Sequence, residues 1–419
     1  MPATRFSTWW NPFPERLKPQ ALAPEAEDGA LLFWLRRACR PEPLATAAPA
    51  CDWPLLAHSA ERHLVGSLLW QALLDAGSAG LPPEEIRDTL RDHYHLCGLR
   101  NQVIRQRIDA IYAGCERKGV PLLLLKGGLL AFSAYSRPEL RGMSDLDLLV
   151  SERDFQGLRE VLEADGYLCT IPSLRPEDLP WYSQCFRQVR FQGRRYPPIE
   201  VHFRLFNLGI PAPVEGAWSD ARTYAVGWGT VAAPSPERFL LHLCLHAHQH
   251  GFGLLRSFVD ILRWTRVQTI DGPLLAELAR SDHLVPTAAF ALRYTAFFLD
   301  QCDESGLLER LGIPAWRRTV FDHLWQGRRV RALHAAQRRA EIELPRVYLL
   351  GSAPLRHKIR FLRKALFPPS SWLTGPHRGA ARLHHLRRVL RLVVDPRRHR
   401  ALPRRERGWA RMVRRFVTP

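Results

Sequence analysis

The sequence predicts an α+β protein, with a small mixed sheet at its centre, a helical region on either side and a basic tail at the end. Three observations predict it. Pro121 to Val150, PLLLLKGGLLAFSAYSRPELRGMSDLDLLV, reads as strand, Gly-Gly turn, helix and second strand. Patterns of helix length, broken by Gly and Pro clusters, lie before and after it. The excess positive charge sits almost wholly at the C-terminal end.

In chain order, residues 1–118 form an N-terminal helical region. Helical patterns cover Ala30 to Arg40, Leu55 to Ala76 and Pro83 to Lys118, the last leading straight into the central unit. That unit, residues 119–215, opens with the apolar strand Pro121 to Leu125, followed by a tight turn at Lys126-Gly127-Gly128 and a helix from Leu129 to Tyr135. On the returning strand, a side-chain period of two places Asp145 and Asp147 on one face, with Leu146 and Leu148 pointing into a core. Ser151 to Asp165 is amphipathic at helical spacing. In PPIEVHFRLF, Glu200, His202 and Arg204 alternate onto one face and Val201 and Phe203 onto the other.

Residues 216–350 return to helices. Leu240, Leu243, Leu254, Phe258 and Ile261 recur at near-helical spacing, so two helices are expected on either side of Gly251 and Gly253. His242, His246 and His250 are successive i, i+4 neighbours on one face. A zinc site there is disfavoured, because no Glu stands in the His-Glu-x-x-His position and no Cys pair is near. Arg256 and Asp260 are spaced for a simple helical ion pair.

The Asp145–Asp147 pair carries the chemistry. Two carboxylates this close repel unless a cation sits between them, and oxygen ligands favour Mg²⁺ or Mn²⁺ over zinc. Magnesium usually keeps waters and takes further ligands from substrate phosphates, which points to phosphoryl or nucleotidyl transfer. Gly127 and Gly128 suit that use, since backbone N–H groups there can approach a triphosphate at the start of a helix.

The string LLLKGG, followed by Tyr135, Arg141 and MSDLDLLV, resembles the uncharacterised nucleotidyltransferase family of the DNA polymerase beta-like superfamily. The resemblance implies a third carboxylate from a later strand, and Glu200 in the acidic-x-His segment is the candidate, as Glu where the superfamily usually has Asp. It implies that Asp145, Asp147 and Glu200 are catalytic and hold Mg²⁺ or Mn²⁺, with an NTP as substrate. Lys126, Gly127, Gly128, Arg141, Ser144 and His202 would serve the nucleotide. It further implies that His246, His250, Arg256 and Asp260 line the nucleotide or acceptor cleft. The expected reaction moves a nucleoside monophosphate onto an acceptor hydroxyl of a sugar, small molecule, peptide, protein or RNA, releasing pyrophosphate. A nucleotide-binding sensor or scaffold without turnover is the alternative.

At 419 residues and 46% hydrophobic, the chain can bury a substantial core. No apolar run approaches the ~20 residues of a membrane span. The segment MPATRFSTWWNPFPERLKPQ has prolines and charges where a signal peptide would be apolar, so a cytoplasmic protein is expected. The eight cysteines are scattered and predict no disulfide framework. Residues 351–419 hold 19 Lys and Arg against 2 Asp and Glu, a net +17 of the chain's +19, leaving +2 for residues 1–350. Within this tail Leu383, Leu386, Val389, Leu390 and Val393 recur at helical spacing among arginines. Such a segment suits an anionic membrane surface, a nucleic acid or plain solvation equally, and peripheral membrane attachment or a binding role centred on the tail stays open.

Overall fold

The computed structural model describes residues 24–40, 48–77, 81–185, 188–194, 196–206, 216–250, 252–300 and 306–315. The expectations for the N-terminal 23 residues, for residues 316–350 and for the tail 351–419 lie outside the described residues. The molecule is α+β, as the sequence predicts.

Four helices come first: α1 (Pro24–Cys39), α2 (Trp53–Arg62), α3 (Gly66–Ala76) and α4 (Glu84–Lys118). Asp52 caps α2 by accepting the Leu55 N–H at 3.0 Å, ahead of a Pro in the first turn. The predicted helix over 55–76 is two helices, broken where Leu64 takes φ 59°. Helix α4 carries Glu84 and Glu85 in its first turn and Arg117 and Lys118 in its last, complementing the helix dipole. It stops at Gly119, whose φ of 64° favours glycine.

The central sheet follows. Strand β1 (Leu123–Leu124) leads into helix α5 (Lys126–Ser133), then β2 (Leu146–Leu149), α6 (Phe155–Ala164), β3 (Tyr167–Cys169), α7 (Leu179–Cys185), β4 (Gln188–Gly193) and β5 (Ile199–His202). The strand order is β1-β2-β5-β4-β3. Strands β2 and β5 are parallel and the other pairs antiparallel, so the sheet is mixed. The last strand of this sheet in sequence, β5, is therefore the central one in space. Leu148, Val189, Phe191, Ile199 and Val201 are fully buried in the core, together with Phe155 and Leu158 of α6.

After a short helix α8 (Gly216–Ser219), strands β6 (Arg222–Ala225) and β7 (Thr230–Ala233) form a hairpin. Trp228 at its tip donates Nε1–H to Asp109 of α4 at 2.6 Å and packs edge-on against Phe132 of α5. The remaining helices are α9 (Pro236–Gln249), α10 (Leu255–Val267), α11 (Gly272–Ser281), α12 (Val285–Leu299) and α13 (Leu307–Leu311). Ser235 and Asp271 cap α9 and α11. Helix α1 packs on α12, where Arg36 Nε donates to the Phe298 carbonyl at 2.9 Å and Arg40 pairs with Asp300. One continuous apolar core runs from Ala30 to Leu311.

Candidate active site

The site is built by strand pairing. In the parallel ladder Asp147 stands directly beside Glu200 and Leu149 beside His202, so all three polar residues project from one face. One ligand atom from each of Asp147, Glu200 and His202 lies within 4.8 Å of the others. Asp147 and His202 are buried, and Glu200 is half-buried. This is the one such group of three or more metal-ligating side chains among the described residues. The histidines of α9 form no such group.

Asp147 is held from two sides. Leu125 N–H donates to the Asp147 carbonyl at 3.1 Å, which sets Lys126 at the next position across from the carboxylate. Lys126 takes φ 44°, a left-handed conformation unusual for a side-chain-bearing residue, and its Nζ lies 2.5 Å from Asp147 Oδ1. His202 Nε2 meets the same oxygen at 2.8 Å. Burial alone would raise the Asp147 carboxyl's pKa, but the Lys126 ammonium and His202 outweigh it and hold the group well below the usual carboxylate range.

Asp145 precedes β2 rather than lying within it, and it is not one of the three grouped side chains. It is half-buried and accepts from the exposed Ser144 hydroxyl at 3.1 Å. Burial and then the Asp147 charge push its pKa up, while Lys126 draws it down less strongly. A second negative carboxyl thus stands beside the buried one.

Gly127 and Gly128 belong to the first turn of α5, not to a separate turn before it. A Cβ at Gly128 would meet Leu124 Cδ1 at 2.8 Å and Leu146 Cδ1 at 3.0 Å, and one at Gly127 would meet Met143 at 3.0 Å and Arg141 Nη1 at 3.1 Å. Gly128 lets α5 press onto β1 and β2, and Gly127 lets it press onto the segment that leads into β2.

Arg141 and Asp260 form a buried two-bond ion pair, Nε to Oδ1 and Nη2 to Oδ2, each 2.9 Å. Tyr135 donates its hydroxyl to Asp260 Oδ1 at 2.7 Å, and Asn101 Nδ2 donates to the Arg141 carbonyl at 2.9 Å. The i, i+4 pair expected between Arg256 and Asp260 does not form. Asp260 turns to Arg141, and Arg256 instead donates to the Gly142 carbonyl at 3.1 Å. Burial and the adjacent Arg141 charge bring the Arg256 pKa down to about 10. Arg204 lies beyond the end of β5 and pairs with Glu152 at 3.3 Å.

The α9 histidines divide. His242 Nδ1 lies 2.9 Å from the Leu205 carbonyl, and the His242 ring stands 6.5 Å from that of His202 and perpendicular to it. Since a carbonyl only accepts, Nδ1 of His242 carries the proton in that bond. His246 and His250 meet edge to face at 4.5 Å, both half-exposed.

A family model described as uncharacterised nucleotidyltransferase matches residues 49–300, which span α2 through α12 and contain every side chain of this candidate site. The chain belongs to the uncharacterised nucleotidyltransferase family. No curated protein and no solved structure matches it. Of the residues singled out in the sequence, Asp147, Glu200 and His202 meet at one point with Lys126. Asp260 and Arg141 meet at another, where the strand-and-turn unit joins α10. Nothing in local spacing announces that Lys126 grips Asp147, because the contact depends on the β1–β2 pairing.

Proposed function

We propose that this nucleotidyltransferase family member moves a nucleoside monophosphate from an NTP to an acceptor hydroxyl at the face formed by Asp145, Asp147 and Glu200. The in-register pairing of Asp147 and Glu200 on adjacent parallel strands carries the reading, since it sets two carboxylates side by side from distant parts of the chain. Asp145, Asp147 and Glu200 gather carboxylate oxygens from the β2 and β5 segments, the hard donors a divalent cation of this kind favours. These three residues would hold Mg²⁺ or Mn²⁺, whose Lewis acidity would favour charge development on the triphosphate.

The N–H groups of Gly127 and Gly128 at the start of α5 would receive the β and γ phosphates, with the helix dipole in support. Lys126 is one residue away and would add its charge as the leaving group becomes more negative. The acceptor oxygen forms a bond to the α-phosphorus, and the bond from that phosphorus to the α–β bridging oxygen breaks, its electron pair leaving with pyrophosphate. Glu200 is half-buried, beside Arg190 of β4, and would take the hydroxyl proton. Ser144 and Arg256 flank Asp145, and His246 and His250 would line the outer cleft. Arg141 and Asp260 are engaged with one another, so their part would be to hold α5 and α10 around the nucleotide. The acceptor remains a hydroxyl compound of open class, and the basic tail 351–419 would give contact with an anionic membrane surface or nucleic acid. Among the described residues no helix is long and apolar enough to cross a membrane.

The ion pair at Asp147 favours one second reading, a nucleotide-binding scaffold in which Lys126 permanently satisfies the carboxylate. Pyrophosphate release from each of the four NTPs, with Mg²⁺ or Mn²⁺ and a host-cell lysate supplying acceptors, separates the two. Release should fall ~10²–10³-fold in Asp145→Asn/Asp147→Asn. NTP binding without any release by the wild type would favour the scaffold.

A further inference from the structure

We infer that His202 is itself a metal ligand, making the site a mixed nitrogen–oxygen one that takes a first-row transition ion of the Mn²⁺ class in preference to Mg²⁺. The inference rests on the reading that a divalent ion works at Asp147 and Glu200, and it names the chemistry of that ion.

Spacing is the first support. Two neighbouring ligand atoms ~2.1 Å from one octahedral ion lie about 3.0 Å apart. His202 Nε2 and Asp147 Oδ1 are 2.8 Å apart in a hydrogen bond, and an ion that displaces the bridging proton finds the two donors at the separation of adjacent ligands. Glu200 adds a third donor within 4.8 Å of both.

Rigidity is the second. His202 is fully buried on the central strand β5, between β2 and β4, and its ring meets the His242 ring perpendicularly at 6.5 Å. His242 is in turn tied to the Leu205 carbonyl at 2.9 Å. A ring so enclosed presents Nε2 in one direction, toward Asp147. The ammonium of Lys126 at 2.5 Å from the same Oδ1 marks that oxygen as a place where positive charge settles. On this reading the ion would replace Lys126 at Asp147, and the ammonium would turn to substrate phosphate.

The donor set then decides the ion. Mg²⁺ dehydrates reluctantly and prefers oxygen throughout, whereas an imidazole nitrogen gains affinity along the series from Mn²⁺ upward. Exchanging one carboxylate ligand for imidazole therefore moves preference away from Mg²⁺. Carboxylate spacing alone, as in Asp145-x-Asp147, would not produce that shift.

The test uses the full chain without nucleotide and Mn²⁺ as the probe. Electron paramagnetic resonance follows loss of the free Mn²⁺ signal, with Mg²⁺ as competitor, and spin-echo modulation detects nitrogen bound to the ion. Wild type should bind Mn²⁺ at least ~10-fold more tightly than Mg²⁺ and show ¹⁴N modulation that changes to a ¹⁵N pattern when histidine is ¹⁵N-labelled. His202→Asn should lose the modulation and weaken Mn²⁺ binding ~10–100-fold. Absent nitrogen modulation in the wild type, modulation that survives His202→Asn, or no Mn²⁺ binding would each overturn the inference. Absence of a ¹⁵N pattern in the isotope-labelled wild type overturns the inference even where the variant does not fold. Pyrophosphate release with Mg²⁺ alongside a nitrogen-free Mn²⁺ echo would leave the transfer reading standing and remove this one. Nitrogen modulation without pyrophosphate release would do the reverse.

Discussion

At the scale of residues, the site turns on one oxygen. Asp147 Oδ1 receives both Lys126 and His202, and neither contact is exposed to solvent. Removing one member of a buried pair leaves the other charge without compensation, at a cost of about 3–5 kcal/mol. Lys126→Ala should therefore lower stability by that order in urea unfolding at pH 7. The folded-state pKa of Asp147 is depressed, so its contribution is present above the unfolded carboxylate range near ~4 and is lost as pH falls through the folded value. In the variant, burial is no longer outweighed by the lysine, so protonation comes earlier and relieves the unpaired charge. The stability gap between wild type and Lys126→Ala should hence be widest near neutral pH and narrow below ~4. A gap independent of pH would show that Lys126 acts through its backbone or packing. The meeting of Asp147 with Glu200 and His202 is legible in the sequence to the extent that a period of two puts Glu200 and His202 on one face. The grip of Lys126 is not legible, because it needs both the Leu125–Asp147 backbone bond and a left-handed lysine, which local pattern does not encode.

At the scale of elements, helices α9 and α11 share a buried charge cluster away from the site. Arg238 of α9 binds Asp220 at 2.5 Å and Asp282, just after α11, at 3.4 Å. Asp282 Oδ1 is buried with no hydrogen-bond partner among the described residues. Burial pushes its pKa up to about 6, against a smaller lowering by Arg238. A raised acid binds its proton more tightly when folded, so Asp282 costs stability above pH 6, and the cost fades as pH falls toward the unfolded value near ~4. Asp282→Asn should raise the melting temperature at pH 8, by an amount corresponding to roughly 2 kcal/mol, with the advantage shrinking at about pH 4. An equal effect at both pH values would place the cause in packing. Element boundaries are readable where caps are explicit, as at Asp52, Ser235 and Asp271. They are less so at Lys126-Gly127-Gly128, where two glycines suggest a turn but the chain is already helical because close packing on Leu124 and Leu146 requires them. The spacing of Arg256 and Asp260 allows a helical ion pair. The buried, two-bond geometry offered by Arg141 wins instead, being stronger than a single partly exposed contact.

At the scale of the whole molecule, Asp260 ties the central unit to the helices that follow it. It receives Tyr135 from the end of α5 and Arg141 from the loop before β2, while lying on α10. Asp260→Ala should destabilise the protein by about 3–5 kcal/mol in urea unfolding, since Arg141 is left buried with its charge unmatched. Combining Asp260→Leu with Arg141→Met should recover part of the loss, because a buried pair can be replaced by apolar packing. No recovery would assign the effect to Tyr135 or to the backbone around Gly142. The α+β class and the order of helices, sheet and helices can be read from periodicity alone. That α1 returns to α12 cannot, because the contact between Arg36 and Phe298 joins segments 262 positions apart.

The central place of β5 also has a consequence in time. Strands β1 to β4 precede it in sequence, yet it lies between β2 and β4, so the sheet stays divided until residues 199–202 insert. Parallel pairing over so long a separation is slow relative to local structure, and it comes late in folding. A chain still being synthesised thus has Asp147 but not the grouping of Asp147, Glu200 and His202 until β5 has emerged and closed the gap. Under the proposed function, ion capture would then mark the completion of the sheet.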